Sequence, residues 1–154
     1  MSKIKRTTPS MVDITAKPEV YREATAQGQI KLNPNTIKLI KSGKIEKGDP
    51  LSTAKIAGTL AAKNTSYLIP LCHPLPITSV EITTKTSNDM VEVGAIVKTT
   101  AKTGVEMEAL VAATMALLTI WDMTKQYEKD KQGQYPSTSI ENIRVVKKIK
   151  AEKK

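Results

Sequence analysis

The chain of 154 residues is poor in the residues that build disulfides, zinc sites and stacking surfaces. It has one cysteine and one histidine, which excludes an internal disulfide and a multi-cysteine zinc site. Aromatic residues make up 3% of the sequence and phenylalanine is absent, so few side chains could stack on nucleic acid bases. No uninterrupted apolar run reaches about 18 residues, and the first residues, MSKIKRTTPSMVD, lack an apolar secretory core. We therefore expect a soluble, cytoplasmic protein with no membrane partner.

Positive charge is in excess and is concentrated at the two ends of the chain. The formal net charge is +9, from 24 Lys and Arg residues against 15 Asp and Glu residues. Residues 7–146 contain 16 basic and 14 acidic residues, so the central part of the chain is nearly balanced. Basic ends attract any anion, and solvation alone would also account for them. A basic nucleic-acid-binding module is therefore an open but weakly supported alternative.

The alternation of apolar and polar residues predicts strands at residues 77–86, 90–100 and 139–150. Residues 22–32 could form a fourth strand, although their Ala and Gly content weakens the pattern. Periodicity predicts a short helix at 34–42, and Asp49 followed by Pro50 predicts the start of a second helix that ends near Lys63. Three prolines predict a stiff loop at 67–76. Together these elements predict an α+β fold with helices on one face of an antiparallel sheet.

The second predicted helix has a candidate packing face made of Ile56, Ala57, Leu60 and Ala61. A third helix, in the run TAKTGVEMEALVAATMALLTIWD at residues 100–122, is long and apolar on nearly all sides. A helix of this kind must be covered all round, and in so short a chain one cover is another subunit, so we predict an obligate oligomer.

The long helix carries acidic residues at both ends. Thr103 and Glu106 fit a capping box, which predicts a start at residue 104 or 105 and gives Glu106 a structural explanation. Glu108 and Asp122 share one stripe of the helix and are separated by about 21 Å at 1.5 Å per residue. One small substrate cannot reach both within a chain, so either one end is functional or sites combine the head of one helix with the tail of another.

Asp122 and Lys125 are spaced i, i+3, which is typical of a surface ion pair. Trp121 and the apolar stretch before it favour partial desolvation, which would suit proton transfer. Lys47 precedes a helix N-terminus, where an anion is favoured, although an exposed turn lysine is the simpler interpretation. If Lys47 lay close to Lys125, repulsion between them would lower a lysine pKa.

Cys72 and His73 are neighbours in the proline-rich loop IPLCHPLP. Adjacent side chains seldom point the same way, so a nucleophile–base pair is disfavoured, and a metal site would need further ligands. His73 could position a substrate, and it could equally well form a hydrogen bond with a backbone carbonyl. Lys98 and Lys102 are candidates for phosphate contacts or are simply solvated. Met107 is explained most simply as a core or interface filler.

These motifs together resemble the cyclic pyranopterin monophosphate synthase family of molybdenum cofactor biosynthesis. The resemblance covers residues 11–146 through MVDITAK, KGDPLSTAKIAGTLAAK, LIPLCHPLPI, KTGVEMEAL and LTIWDMTK. It implies a ferredoxin-like subunit in a homohexamer, a trimer of dimers, with active sites between subunits. It also implies a lyase that converts a cyclised dihydro-GTP to cyclic pyranopterin monophosphate and releases diphosphate.

The resemblance also assigns roles to residues of this sequence. Catalytic roles fall on Lys47, Asp122 and Lys125. Substrate binding falls on Arg22, His73, Lys98, Glu106 and Glu108. Beside these we predict Cys72, Lys102 and Met107 as further substrate-binding residues, from their neighbourhood in the sequence and not from the resemblance. No cofactor is required, Mg²⁺ is possible with the triphosphate, and a phosphate-binding tail lysine could be Lys147 or Lys148. The predicted organisation is a flexible N-terminal arm at 1–11, one catalytic domain at 12–147 and a basic C-terminal tail at 148–154. The alternatives are a non-catalytic nucleotide-binding protein and the nucleic-acid-binding module.

Overall fold

The structure, a computed structural model, describes residues 8–151. These residues form eight elements, whose bounds in chain order are β1 Val20–Lys31, α1 Pro34–Lys41, α2 Pro50–Lys63, α3 Thr65–Leu68, β2 Ile77–Thr86, β3 Met90–Ala101, α4 Glu106–Glu128 and β4 Ser139–Ala151. The arm predicted at 1–11 lies outside the described residues up to residue 7. Residues 8–11 are exposed and belong to neither a helix nor a strand.

The four strands form one sheet in the order β2-β3-β1-β4, and all neighbouring strands are antiparallel. β1 and β3 pair along their whole length, from Val20 opposite Ala101 to Lys31 opposite Met90. Long helices connect β1 to β2 and β3 to β4, which together with this strand order is the ferredoxin-like arrangement. The predicted α+β fold is confirmed.

The core lies between one face of the sheet and the helices α2 and α4. Alternate residues of β1 and β3 point into it and are fully buried: Ala24, Ala26, Ile30, Val91, Val93, Ala95 and Val97. α4 supplies the helix side of the core through Ala109, Ala112, Ala113, Ala116, Leu117 and Ile120. This one-sided packing matches the predicted layer architecture and leaves the ends of α4 at the rim of the sheet.

α2 begins as the sequence predicts. The side chain of Asp49 accepts hydrogen bonds from the backbone N–H groups of Leu51 and Ser52, and Pro50 occupies the first helical position. The helix ends at Lys63, also as predicted. Residues 65–68 form the short helix α3, so the loop predicted from residue 67 starts after Leu68.

The packing face of α2 differs in part from the predicted one, because Ala61 is buried as predicted but the two larger side chains are not. Ile56 and Leu60 are 64% and 53% exposed, and the prediction that they pack inward is wrong. The buried side is made of small residues because α2 crosses α4 at close range. At Gly58, a Cβ atom would lie 2.9 Å from the backbone oxygen of Ala112. A side chain there would force the two helices apart, so the closest approach requires glycine.

α4 begins at Glu106, later than predicted, and without the predicted capping box. Its N-cap residue, Val105, makes no side-chain capping hydrogen bond. The Glu106 carboxylate pairs instead with the ammonium group of Lys148 at 2.5 Å, because β4 brings that lysine over the start of the helix. By length and composition α4 could cross a membrane, but half of its most apolar window is buried in this fold.

β4 extends further than the predicted domain boundary at residue 147. Lys148, Ile149 and Lys150 pair with Ala24, Glu23 and Arg22 of β1. The segment predicted as a basic tail is therefore part of the sheet as far as Ala151, and residues 152–154 lie outside the described residues.

Candidate active site

Three predicted catalytic side chains, Lys47, Asp122 and Lys125, meet near the C-terminal end of α4, and we call them the tail cluster. One oxygen of the Asp122 carboxylate lies 2.8 Å from Lys47 Nζ, and the other lies 2.8 Å from Lys125 Nζ. Lys47 Nζ also donates to the backbone oxygen of Asp122 at 3.2 Å. A single chain thus brings one carboxylate between two ammonium groups.

The loop before α2 carries Lys47 to this position. Gly48 has a φ of 103°, a conformation that favours glycine, and it turns the chain directly after Lys47. On the other side of Lys47, the backbone N–H of Glu46 donates to the hydroxyl of Tyr127 at 2.9 Å. Gln126 Nε2 donates to the carboxylate of Glu46 at 2.9 Å. The end of α4 therefore fixes the loop that presents Lys47 to Asp122.

Two ammonium groups lower the pKa of Asp122 to about 2, with the hydrogen bond from Lys125 as the largest cause and that from Lys47 next. The same hydrogen bond raises the pKa of Lys125. The predicted lowering of a lysine pKa is therefore wrong for Lys125, because the carboxylate between the lysines outweighs their repulsion. The predicted desolvation is also absent within one chain, where the Asp122 side chain is 57% exposed.

A second group of predicted residues surrounds a cavity of about 350 Å³ at the N-terminal end of α4, which we call the head pocket. Its lining includes Cys72, His73, Glu106 and Met107, together with Gly104. The loop after α3 supplies Cys72 and His73, Gly104 precedes α4, and the first turn of α4 supplies Glu106 and Met107. Cys72 Sγ faces Glu108 at 3.9 Å, whereas His73 Nε2 contacts the backbone oxygen of Val12 at 2.7 Å. The two neighbours point to different partners, as predicted.

Glu108, which faces the pocket-lining Cys72, is a buried carboxylate in the first turn of α4. The residue is 2% exposed, and its Oε2 atom has no hydrogen-bond partner among the residues that the structure describes. Burial raises the pKa of Glu108, and the nearby charge of Glu106 adds to the effect. Burial likewise raises the pKa of the Cys72 thiol, with Glu108 contributing, so the protonated thiol is favoured over a nucleophilic thiolate.

Two cationic side chains, Lys148 and Arg22, act on Glu106 of the head pocket. Burial alone would raise the pKa of Glu106, but the hydrogen bond and charge of Lys148, with a smaller contribution from Arg22, lower it overall. Arg22 Nη2 donates to the backbone oxygen of Lys102 at 3.5 Å, while its Nε atom is buried without a partner. Within residues 8–151, Arg22 Nε and Glu108 Oε2 are the two buried side-chain atoms left unpaired. Both lie near the start of α4, because Glu108 is in its first turn and the charge of Arg22 acts on Glu106 there. This end of the helix therefore has an unpaired cationic donor and an unpaired carboxylate oxygen.

Residues 11–151 match the MoaC family. The chain is 60% identical over 140 residues to a protein of Pyrococcus horikoshii, an alignment that covers 91% of this chain and 88% of that protein. It is 54% identical over 141 residues to a protein of Sulfolobus acidocaldarius, covering 92% and 99% respectively. The chain belongs to the MoaC family. Both relatives carry the name "Probable cyclic pyranopterin monophosphate synthase", and the family predicted from the sequence motifs is confirmed.

The structure of this MoaC family member does not bring all predicted residues together. Lys98 lies between Val97 and Thr99, which point into the core, so its side chain is on the opposite face of the sheet from the helices. The ammonium group of Lys102 contacts the backbone oxygen of Thr15 at 2.8 Å. A phosphate contact by Lys98 or Lys102 stays a prediction. Across the described part of the chain, no three His, Cys, Asp or Glu side chains are grouped closely enough to hold a metal ion.

Sequence reasoning missed several contacts around the two clusters. It did not choose between Lys147 and Lys148, whereas the structure pairs Lys148 with Glu106. It also missed that Tyr127 holds the Lys47 loop and that the segment at Val12 reaches His73. The spacing of Asp13 and Thr15, typical of a turn closed by the Asp side chain, was the available signal for the last of these.

Proposed function

We infer that this chain is a cyclic pyranopterin monophosphate synthase, a lyase that converts a cyclised dihydro-GTP to cyclic pyranopterin monophosphate and diphosphate. Family membership and the names of the relatives support this activity over a nucleic-acid-binding module or a non-catalytic nucleotide-binding protein. The observation that carries the assignment within the molecule is the pair of unpaired buried groups at the head, Arg22 Nε and Glu108 Oε2. A nucleotide-derived ligand offers both a phosphate for the guanidinium and ring N–H donors for the carboxylate.

The head pocket would bind the substrate. Glu108, with Cys72 and His73 beside it, would accept hydrogen bonds from the purine-derived ring. Arg22 and Lys148 would hold the triphosphate and offset the negative charge that develops on the departing diphosphate. Mg²⁺ could accompany the triphosphate as part of the substrate. Met107, which is 40% exposed, would contribute apolar contact at the rim.

The tail cluster would transfer protons. Asp122, with a pKa of about 2, is ionised at neutral pH and would orient the ammonium groups of Lys47 and Lys125. Either lysine would exchange protons with the ring during opening. A sugar hydroxyl would then attack the innermost phosphorus and form a P–O bond, while the bond from that phosphorus to the diphosphate breaks. The hydroxyl proton would pass to the cluster and the electron pair would leave with diphosphate.

A complete site would need two chains. Fourteen residues of one helix separate Glu108 from Asp122, which corresponds to about 21 Å, so one substrate cannot contact the head and tail of the same α4. Large apolar side chains also remain exposed on a single chain: Leu68, Leu71, Met107 and Leu118 are each at least 40% exposed. These features support a contact between chains in which the head of one chain faces the tail cluster of another, and the homohexamer is the assembly that the family resemblance implies for it. We also propose that the protein is located in the cytoplasm.

The first experiment incubates the purified protein with the cyclised GTP substrate and measures diphosphate and the cyclic phosphate product. We expect turnover by the wild type and a loss of about 10²-fold to 10⁴-fold in Asp122→Asn. Asp130→Asn is the matched control, because it makes the same charge change at an exposed aspartate in the turn after α4. No product from a correctly assembled wild-type protein would overturn the function.

Mixed particles test the shared site. Glu108→Gln damages the head of its chain, and Asp122→Asn damages the tail of its chain. If each site combines the head of one chain with the tail of another, random reassembly of an equal mixture makes about one quarter of the sites intact, and activity returns in proportion. Lys47→Ala mixed with Asp122→Asn is the control, because every tail is then damaged and no recovery is expected. Absence of recovery in the first mixture would place the whole site within one chain.

A further inference from the structure

A contact between His73 and the N-terminal segment distinguishes the two nitrogens of the imidazole ring. Its Nε2 atom lies 2.7 Å from the backbone oxygen of Val12. A carbonyl oxygen only accepts hydrogen bonds, so Nε2 must carry the proton in this contact. In the neutral ring, Nδ1 then has a free lone pair and can only accept. Because His73 lines the head pocket, this proton position determines which ligand groups the imidazole can recognise.

A tight turn holds the Val12 carbonyl in place. The Asp13 carboxylate accepts from the backbone N–H of Thr15 at 2.8 Å and from the Thr15 hydroxyl at 2.6 Å. The next turn is closed by the N–H of Lys17, which donates to the oxygen of Ile14 at 3.0 Å. Residues 8–19 contain neither helix nor strand, so these side-chain and turn contacts give the segment its shape.

The same turn is attached to the head pocket at a second point. The backbone oxygen of Thr15 accepts from Lys102 Nζ at 2.8 Å, and the backbone oxygen of Lys102 accepts from Arg22 Nη2 at 3.5 Å. The hydrogen bonds from Thr15 are the main cause that lowers the pKa of Asp13, with smaller contributions from the charges of Lys102 and His73. One short turn therefore supplies a carbonyl to each of two predicted substrate-binding side chains.

We propose that Asp13 is a positioning residue: its turn fixes His73 in the Nε2–H tautomer, so that Nδ1 accepts a hydrogen bond from an N–H donor of the purine-derived ring. The effect on turnover rests on the proposed function, whereas the tautomer is a property of the protein alone. Asp13 acts through His73 and does not itself touch the ligand.

The tautomer can be measured directly because the chain has a single histidine. Histidine labelled with ¹⁵N gives one imidazole, whose two nitrogens are distinguished by their chemical shifts and by the bound proton. In the wild type at a pH where the ring is neutral, we expect a protonated Nε2 that exchanges slowly with water and an unprotonated Nδ1. In Asp13→Ala, we expect both nitrogen shifts to move toward those of free histidine and the Nε2 proton to exchange rapidly.

Two further variants separate this effect from general damage. Asp13→Asn keeps a side-chain oxygen for Thr15 and should restore the wild-type imidazole signals. Asp130→Ala removes an equivalent turn acceptor, which binds the N–H groups of Gln132 and Gln134 at 2.9 Å, and should leave them unchanged. A wild type protonated on Nδ1, or an Asp13→Ala protein with wild-type imidazole signals, would overturn the proposal.

Turnover of the cyclised GTP substrate provides the second measurement. We expect Asp13→Ala to lower kcat/KM about tenfold with an unchanged thermal midpoint, because a misoriented group costs catalysis without loss of core packing. Wild-type kcat/KM in a variant with altered imidazole signals would overturn the positioning role. If the wild type itself has no turnover, the proposed function fails, and the imidazole signals still decide the tautomer.

Discussion

The two ends of α4 each bury one glutamate, and they treat it in opposite ways. Glu108 at the head and Glu128 at the tail are both 2% exposed. Both oxygens of Glu128 are hydrogen-bonded, to the backbone N–H of Asn33 and to the hydroxyls of Thr36 and Thr138. Among residues 8–151, Glu108 contacts the Cys72 thiol at 3.9 Å, and its second oxygen is unpaired. A buried carboxylate with all its donors stabilises the fold, whereas one that lacks them favours a bound ligand that supplies them.

Another carboxylate of α4, Asp122, extends the comparison. It is exposed, ionised and placed between two ammonium groups, so its environment is the reverse of the one around Glu108. We propose that the helix separates a region for binding, at the head, from a region for proton transfer, at the tail.

The largest effect is expected from removing an ammonium group of the tail cluster. Lys47→Ala and Lys125→Ala should each lower kcat about 10²-fold to 10⁴-fold, because the group that moves the proton is lost. The thermal midpoint should change little, since exposed ion pairs contribute little to stability. Lys129→Ala, at an exposed lysine just beyond α4, is the control for the charge change. Wild-type kcat in either tail-cluster variant would remove that lysine from the mechanism.

Glu128→Ala should have the largest effect on stability. It leaves the Asn33 N–H and the two threonine hydroxyls without their acceptor inside the protein, which we expect to cost about 2–4 kcal/mol. Urea unfolding of this variant and the wild type measures the loss, and turnover of the fraction that remains folded should stay close to wild type. A variant as stable as the wild type would show that Glu128 is not the structural carboxylate of the pair.

Glu108→Gln should change the unfolding free energy in the opposite direction to Glu128→Ala. Because the folded-state pKa of Glu108 is raised above 4.5, its contribution to stability is complete below pH 4.5 and is lost as pH rises through the folded pKa. The variant has no such loss, so its stability relative to wild type should increase with pH, while its KM for the substrate rises. Unfolding free energies measured between pH 4 and 8 test the sign. A difference that is constant with pH would mean that Glu108 is not buried in the assembled protein.

Local signals in the sequence predicted the framework of the molecule well. The Asp49–Pro50 start of α2 rests on contacts within three residues, and the strands follow from alternation, so both were predictable. The face of α2 was not, because a helix with many small residues has more than one apolar side. The close crossing at Gly58 selects the side with the smallest residues and leaves Ile56 and Leu60 outside.

The candidate site was predicted as a set of residues but not as an arrangement. The motifs named Lys47, Asp122 and Lys125, yet their spacing could not reveal that they meet within one chain. The contact that holds Lys47, between Tyr127 and Glu46, joins residues 81 positions apart. Such contacts depend on how the layers pack, and periodicity carries no information about them.

The smallest effect is a pKa change that ranks the two lysines. Asp122 has a pKa of about 2, and the hydrogen bond from Lys125 lowers it more than the one from Lys47. Lys125→Ala should therefore raise the pKa of Asp122 toward 3.8 by more than Lys47→Ala does, as measured by the carboxyl ¹³C shift during an acid titration. In the wild type, the stabilising effect of this carboxylate is present above pH 3.8 and disappears as pH falls through about 2. A larger change in Lys47→Ala would make Lys47 the stronger partner of Asp122, while equal pKa values in both variants and the wild type would mean that the cluster does not persist in solution.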